Sequence, residues 1–207
     1  MRRYATIAQL AERAFRKRQV VGSNPTGGFT VDTQERTSLE VRSDGSPLRD
    51  RMTLSLPAQR VEAALRERGY TGTVLELKES TRSAAEAAHA VGCDVARIVK
   101  SLVFRTSPGV PVLVLTSGAN RVNESALGER IGEQLGRADA DFVREHTGFA
   151  IGGVPPLGHP ISLRTLIDQD LMTHVTVWAA AGTPNALFEI PPENLARLCA
   201  AEVVRVT

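Results

Sequence analysis

Cysteine is scarce in this chain. Cys93 and Cys199 are the only two in 207 residues and do not form a CxxC pair, so neither a disulfide framework nor a thiolate zinc cage fits. Histidine is equally sparse: His89, His146, His159 and His174 show no metal-ligand spacing, and neither a metal nor a cofactor is expected. No serine sits in a G-x-S-x-G setting and no glycine-rich phosphate loop is present, which removes sequence support for a serine nucleophile or a nucleotide-binding fold. Neither cysteine has a recognisable base beside it, so both read as packing residues. No apolar run approaches membrane-spanning length, and Glu12, Arg13, Arg16, Lys17 and Arg18 interrupt any secretory signal. A cytoplasmic protein with reduced thiols is therefore expected, with no membrane partner. Lysine is the last scarcity: Lys17, Lys78 and Lys100 stand among many arginines.

The composition, with 42% hydrophobic and 23% charged residues, is that of a globular protein able to bury one substantial core. Its charge is uneven. Residues 1–52 hold 10 Lys and Arg against 6 Asp and Glu, whereas residues 53–207 hold 15 against 17, a net charge of −2. That balance argues against a broad non-specific nucleic-acid surface on the body, while leaving room for a local basic patch. Residues 1–52 show no sustained periodicity and read as a disordered extension, with an Arg-rich RNA-binding arm as the functional alternative. A third reading is open. Gly22-Ser23-Asn24-Pro25 can be encoded by GGTTCGAATCC, the T-arm consensus of a tRNA gene, which would make this stretch the translation of an upstream gene and Met52 the true start.

From Leu54 onward the pattern tightens. Pro57 to Arg68 predicts an amphipathic helix with Val61, Ala64 and Leu65 on one face, and Thr73 to Leu77 predicts a strand. Ser83 followed by Glu86 is a capping-box pattern opening an Ala-rich helix that stops at Gly92. Ile98 to Phe104 and Val112 to Leu115 read as a hairpin joined by Thr106-Ser107-Pro108-Gly109. Helices are predicted over Asn123 to Leu135, Asp139 to His146 and Pro191 to Cys199, and strands over Ile161 to Ile167, Val175 to Ala179, Leu187 to Ile190 and Glu202 to Val206. One mixed α+β domain over residues 53–207 follows.

Two features stand out against this background. Strand alternation puts Lys100 on one face with Ile98, Leu102 and Phe104, so its ammonium must either snorkel from an edge strand or enter a pocket that supplies a partner. The second feature is Thr147-Gly148-Phe149-Ala150-Ile151-Gly152-Gly153-Val154-Pro155-Pro156-Leu157-Gly158. Alternating glycine and proline gives such a stretch a defined shape, able to aim its remaining N–H groups at a ligand or simply to connect two elements. Asp168 is placed to cap a helix beginning near Gln169, and Trp178 reads as core or pocket wall.

The ordered series Ile98-Val99-Lys100-Ser101-Leu102, the Gly/Pro stretch, Ile167-Asp168 and Trp178-Ala179-Ala180-Ala181-Gly182 resembles the YbaK/EbsC family of aminoacyl-tRNA deacylases, relatives of the editing domain of bacterial prolyl-tRNA synthetases. The resemblance spans roughly Leu56 to Val206. It implies a single α/β domain with a central, mostly antiparallel, barrel-like sheet. It also implies trans-editing, the hydrolysis of a small non-cognate amino acid from the 3′ end of a tRNA such as tRNA(Pro), with prolyl-tRNA synthetase as a possible partner. Lys100 matches the family's functional lysine, Gly152 and Pro156 its G-x-x-x-P loop, and Asp168 an acidic pocket position. A backbone N–H of Gly152 or Gly153 would contact the ester, and Trp178, Ala180 and Gly182 would border the amino-acid pocket. Ala179-Ala180-Ala181-Gly182 departs from the more polar strand of some members, which bears on the side chain excluded. A non-hydrolytic module binding aminoacyl-tRNA or a synthetase is the alternative, and a hydrolase of an unrelated small ester is a further one.

Overall fold

Helix α1 (Leu56–Glu67) opens the part of the chain that the computed structural model describes, residues 54–78, 81 and 83–207. The readings for residues 1–52 lie outside it. Pro57 sits in the first turn of α1, where its missing N–H costs nothing, and Ala58, Val61 and Leu65 are wholly buried. Strand β1 (Val74–Glu76) follows, then α2 (Ala84–Val91). Both halves of the Ser83–Glu86 capping box form, and Gly92 ends the helix in the left-handed conformation. A 3-10 turn leads into β2 (Ile98–Thr106), which pairs along its length with β3 (Pro111–Ser117).

Helix α3 (Glu124–Ile131) is shorter than the pattern Asn123 to Leu135 predicts. Gly132 turns left-handed with φ 74°, and Glu133 N–H bonds Gly128 O at 2.9 Å, folding the chain back over a glycine whose Cβ would stand 2.6 Å from Glu133 O. The released residues form β4 (Leu135–Arg137), an element the periodicity did not suggest. Helix α4 (Ala140–Thr147) is capped by Asp139 and ends at left-handed Gly148. Beyond the Gly/Pro stretch come β5 (Arg164–Asp168), β6 (Val177–Ala180), β7 (Ala186–Ile190), α5 (Pro192–Leu198) and β8 (Glu202–Val204). Residues 161–163, expected in β5, precede it.

The strand order is β1-β7-β6-β2-β3-β5-β8, with β4 beside the far end of β2. The mixed α/β class holds, and the sheet is mostly antiparallel as expected, with β6 and β2, β3 and β5, and β5 and β8 the parallel pairs. No ladder joins β1 to β8, so the sheet is open and barrel-like only loosely. Alternation sorts its side chains. Val99, Leu113, Leu115 and Ile167 face one core with α1, α4 and α5, whereas Phe104, Val112, Val114 and Leu166 face a second core with α3. Fully burying each such aliphatic side chain contributes roughly 1.5–3 kcal/mol.

The Gly/Pro segment belongs to the first core. Phe149, Val154 and Leu157 are buried in it, and Thr147 Oγ accepts the Phe149 N–H while donating to Val143 O. The Arg60 guanidinium lies 5.0 Å from the Phe149 ring centroid, and the His159 ring meets it edge-on at 6.2 Å. His159 Nε2 is 2.9 Å from Pro155 O, which only accepts, so this nitrogen carries the proton. Burial, reinforced by the Arg68 charge, holds the His159 pKa below its ordinary 6.5, against the opposing hydrogen bond. The folded state thus binds fewer protons than the unfolded chain just below that pH, so stability is full above it and falls as pH drops toward the folded value. Thermal unfolding of His159→Gln should therefore lose less stability than the parent between about pH 7 and pH 5, while an unchanged loss would exclude His159 as a source of the acid sensitivity.

Candidate functional site

Strand β2 is central, which removes the edge-strand setting considered for Lys100. Its second flank is nevertheless incomplete. Ile98 O accepts from Gly118 N and Thr106 N donates to Val110 O, so even-numbered residues turn their main-chain groups toward β3 and odd-numbered ones toward the other flank. On that flank β6 pairs with Ile98 and Val99, and β4 pairs with Phe104 to Thr106. Between them no strand stands opposite, and the main chain of Ser101 and Val103 faces a gap.

A pocket of about 290 Å³ fills the gap, lined from β2 by Ser101, Leu102, Val103 and Phe104 and from the Gly/Pro segment by Ile151, Gly152 and Val154. Arg121, Glu124 and Arg137 also line it; Arg137 pairs with Glu124 at 3.3 Å, while Arg121 is exposed and makes none of the ion pairs among the described residues. Ser101 Oγ is buried without a hydrogen-bond partner, a state that costs roughly 1–3 kcal/mol unless a ligand or water relieves it. The sequence carried a faint signal of this residue, a polar side chain interrupting the apolar face of Val99 and Val103.

Lys100 is half-buried and is not itself a lining residue, although Ser101 to Phe104, which follow it, are; its Nζ donates to Gly118 O at 3.2 Å and Asn120 O at 2.5 Å. Among the described residues no carboxylate makes an ion pair with it, so the ammonium is solvated by neutral carbonyls, which take two of its three donors. Burial lowers its pKa from 10.5, partly offset by the charge of Asp168. Asp168 is 1% exposed, and its contacts are all with the protein: Oδ2 accepts from Thr116 Oγ1 and Ser117 N at 3.1 Å and from Asn120 Nδ2 at 2.8 Å, and Oδ1 accepts from Asp170 N at 3.1 Å. The last bond is the expected cap, on a 3-10 turn (Gln169–Thr173).

The remaining candidates divide. Gly152 lines the pocket with φ 91° and open space where a Cβ would stand. Gly153 is buried, and its N–H bonds Ala150 O at 3.0 Å, which leaves Gly152 as the member of the pair with an amide to offer. Pro156 is buried behind the loop. Trp178, Ala180 and Gly182 do not line the pocket. Trp178 packs with Ala87, Ala88, Ile98 and Leu187 on the α2 side, Ala180 pairs with Leu187 in the sheet, and Gly182 lies against Pro57. Of these only Gly182 approaches the loop: a Cβ on Gly153 would stand 2.8 Å from Thr183 Cα and 3.1 Å from Gly182 O.

The fold is thus an open mixed sheet whose central strand is left partly unpaired over a small pocket, with a glycine turn across that opening. The family model for the aminoacyl-tRNA editing domain matches residues 78–198, and the chain belongs to that family. A solved structure described as a candidate trans-editing enzyme for prolyl tRNA synthetase is 47% identical, with a TM-score of 0.72 over 75% of this chain and 99% of that one. Another, described as a hypothetical protein, is 33% identical with a TM-score of 0.67 over 71% and 98%. The uncharacterised protein YwhH of Bacillus subtilis (strain 168) is 28% identical over 130 residues, 63% of this chain and 83% of that protein.

The two loop glycines predict separable effects. Gly153→Ala forces a methyl against backbone and should lower unfolding free energy by roughly 1–3 kcal/mol. Gly152→Ala meets no atom and should cost only the backbone strain of a positive φ, roughly 1–2 kcal/mol, with its larger effect on activity. Urea denaturation of both, read beside activity, checks the order.

Proposed function

We propose that this chain removes a small non-cognate amino acid from the 3′ end of a tRNA by hydrolysing the aminoacyl ester, acting in trans. The observation that carries the reading is Lys100: a half-buried ammonium, next in the chain to the pocket-lining Ser101, with carbonyls as partners and no ion pair among the described residues. A charge held that way favours an anion, whether a phosphate of the terminal adenosine or negative charge developing on the ester. The relative described as a candidate trans-editing enzyme for prolyl tRNA synthetase supports tRNA(Pro) as the carrier and that synthetase as a partner.

The reaction asks little chemistry of the protein. Water adds to the ester carbonyl carbon, charge gathers on the carbonyl oxygen, and the bond to the ribose oxygen breaks, releasing the amino acid and a free ribose hydroxyl. An aminoacyl ester is already activated, so orientation and stabilisation of the oxyanion suffice. The Gly152 amide and the N–H groups of Ser101 and Val103 are main-chain donors at the pocket, and the Arg121 guanidinium is a further donor in its lining. The volume of about 290 Å³ lies at the small end of ligand pockets, roughly 300–1,000 Å³. Together with walls of Val103, Val143 and Val154 it suits a compact side chain and disfavours larger ones.

Single-turnover assays with Ala-, Ser-, Thr-, Cys- and Pro-tRNA(Pro) test the reading. One of the small esters should be cleaved well above its spontaneous rate and the prolyl ester spared. Lys100→Ala should lower the rate about 10²–10³-fold while leaving the unfolding midpoint nearly unchanged. Tight binding without cleavage would instead identify a sequestering module, and wild-type rates in Lys100→Ala would remove the lysine from the mechanism.

A further inference from the structure

Lys100 does not choose its own position. Its two partners, Gly118 O and Asn120 O, lie on the loop leaving β3, and that loop is held from behind. Asn120 Nδ2 donates to Asp168 Oδ2 at 2.8 Å and to Asp170 Oδ2 at 2.7 Å. Carboxylate oxygens accept, so two of them facing one amide fix which end is the NH2 group and use both its hydrogens. Asn120 N bonds Ser117 O at 3.0 Å, Ser117 Oγ donates to Ala96 O at 2.8 Å, and Gly118 N donates to Ile98 O at 2.7 Å. The loop admits no side chain at Gly118, where a Cβ would stand 2.3 Å from Val95 O. The same residue thus presents its side chain to two carboxylates and its carbonyl to the lysine.

We infer that Asn120 is the positioning residue for Lys100: its amide, bridging Asp168 and Asp170, fixes the carbonyl pair that orients the ammonium and leaves one of its three N–H groups for substrate. Nothing else in the loop can replace it. Alanine supplies no donor, and aspartate would place a third carboxylate against two others. The bridge also explains why Asp168 acts on the lysine without touching it. Asp168 is the charged group that acts on Lys100, while Asp170 meets the other hydrogen of the Asn120 amide and Arg121 is next in the chain to Asn120.

The inference rests on the hydrolytic reading of Lys100, and its test keeps the two apart. The full chain has only three lysines, so labelling lysine with ¹³C at Cε gives three titrating signals, with Lys100 assigned by its loss in Lys100→Ala. In the parent, the Lys100 signal should titrate below the other two, because burial depresses it. In Asn120→Ala the loosened clamp should admit water and move that midpoint up toward 10.5, with kcat on the mischarged tRNA falling about tenfold or more and KM changing less than about threefold. An Asn120→Ala enzyme with the parent's Lys100 midpoint and kcat would overturn the inference. Should Asn120→Ala fold poorly, Asp170→Ala, which releases the exposed end of the same bridge, replaces it, and a parent midpoint and kcat there would overturn the inference. Full activity in Lys100→Ala would remove the lysine from the hydrolysis and nothing more, since the titration still reports whether Asn120 governs the lysine.

Discussion

A carboxylate removed from water must be surrounded by donors, and much of this molecule's organisation follows from doing that for Asp168. Desolvating the group costs several kcal/mol. Four hydrogen bonds to it, at roughly 1.5–3 kcal/mol each for a charged acceptor, can offset the cost only if all are formed together. Their donors come from Thr116 and Ser117 at the end of β3, Asn120 in the following loop and Asp170 beyond β5. Strands β3 and β5 are parallel neighbours, so their carboxyl ends meet side by side and one buried group ties both exits. The loop above those exits is the one that holds Lys100.

The interruption in β2 is the second organising feature. A strand with open main-chain groups is normally a liability, because any extended segment can pair with it. Here the exposed length is limited by β6 on one side and β4 on the other, and Ile151, Gly152 and Val154 lie across it. Its existence depends on the early end of α3. Had that helix run through Leu135, no β4 would frame the pocket, and Gly132 with Gly128 is what turns the chain back. The result is a set of fixed amides on sheet and stiff loop, positions more exact than a mobile loop could provide.

Much of this was legible in the sequence wherever the cause is local. Pro57, Ser83 with Glu86, Gly92 and Asp139 mark helix ends by chemistry confined to one turn, and those ends lie within a residue or two of the expected places. The face shared by Ile98, Lys100, Leu102 and Phe104 follows from strand alternation alone. What resisted reading depends on contacts between distant segments. The sequence of β4 has no periodicity of its own and becomes a strand because β2 offers it a partner. Asn120 gives no signal, since its importance comes from Asp168 and Asp170, about fifty residues later. The pairing of β6 with β2 and β7 packs Trp178 toward α2, and neither it nor Ala180 or Gly182 lines the pocket, a placement set by strands distant in sequence.

Charge distribution adds a constraint on how such a site can meet a polyanion. Residues 53–207 carry 15 basic and 17 acidic side chains, so no general field draws RNA to the body of the protein. In the pocket lining Arg137 is paired with Glu124, and Arg121 there and Lys100 next to Ser101 make no ion pair among the described residues. On the hydrolytic reading, contact with the terminal nucleotides involves few phosphates, and each contributes only about 0.7 to the salt slope expected for single strands. Affinity gained that way is modest, so discrimination falls to the fit of the aminoacyl group against Gly152 and the open edge of β2. A weakly held tRNA end also leaves quickly when the attached amino acid does not fit, which is what a site that must spare the correct ester requires.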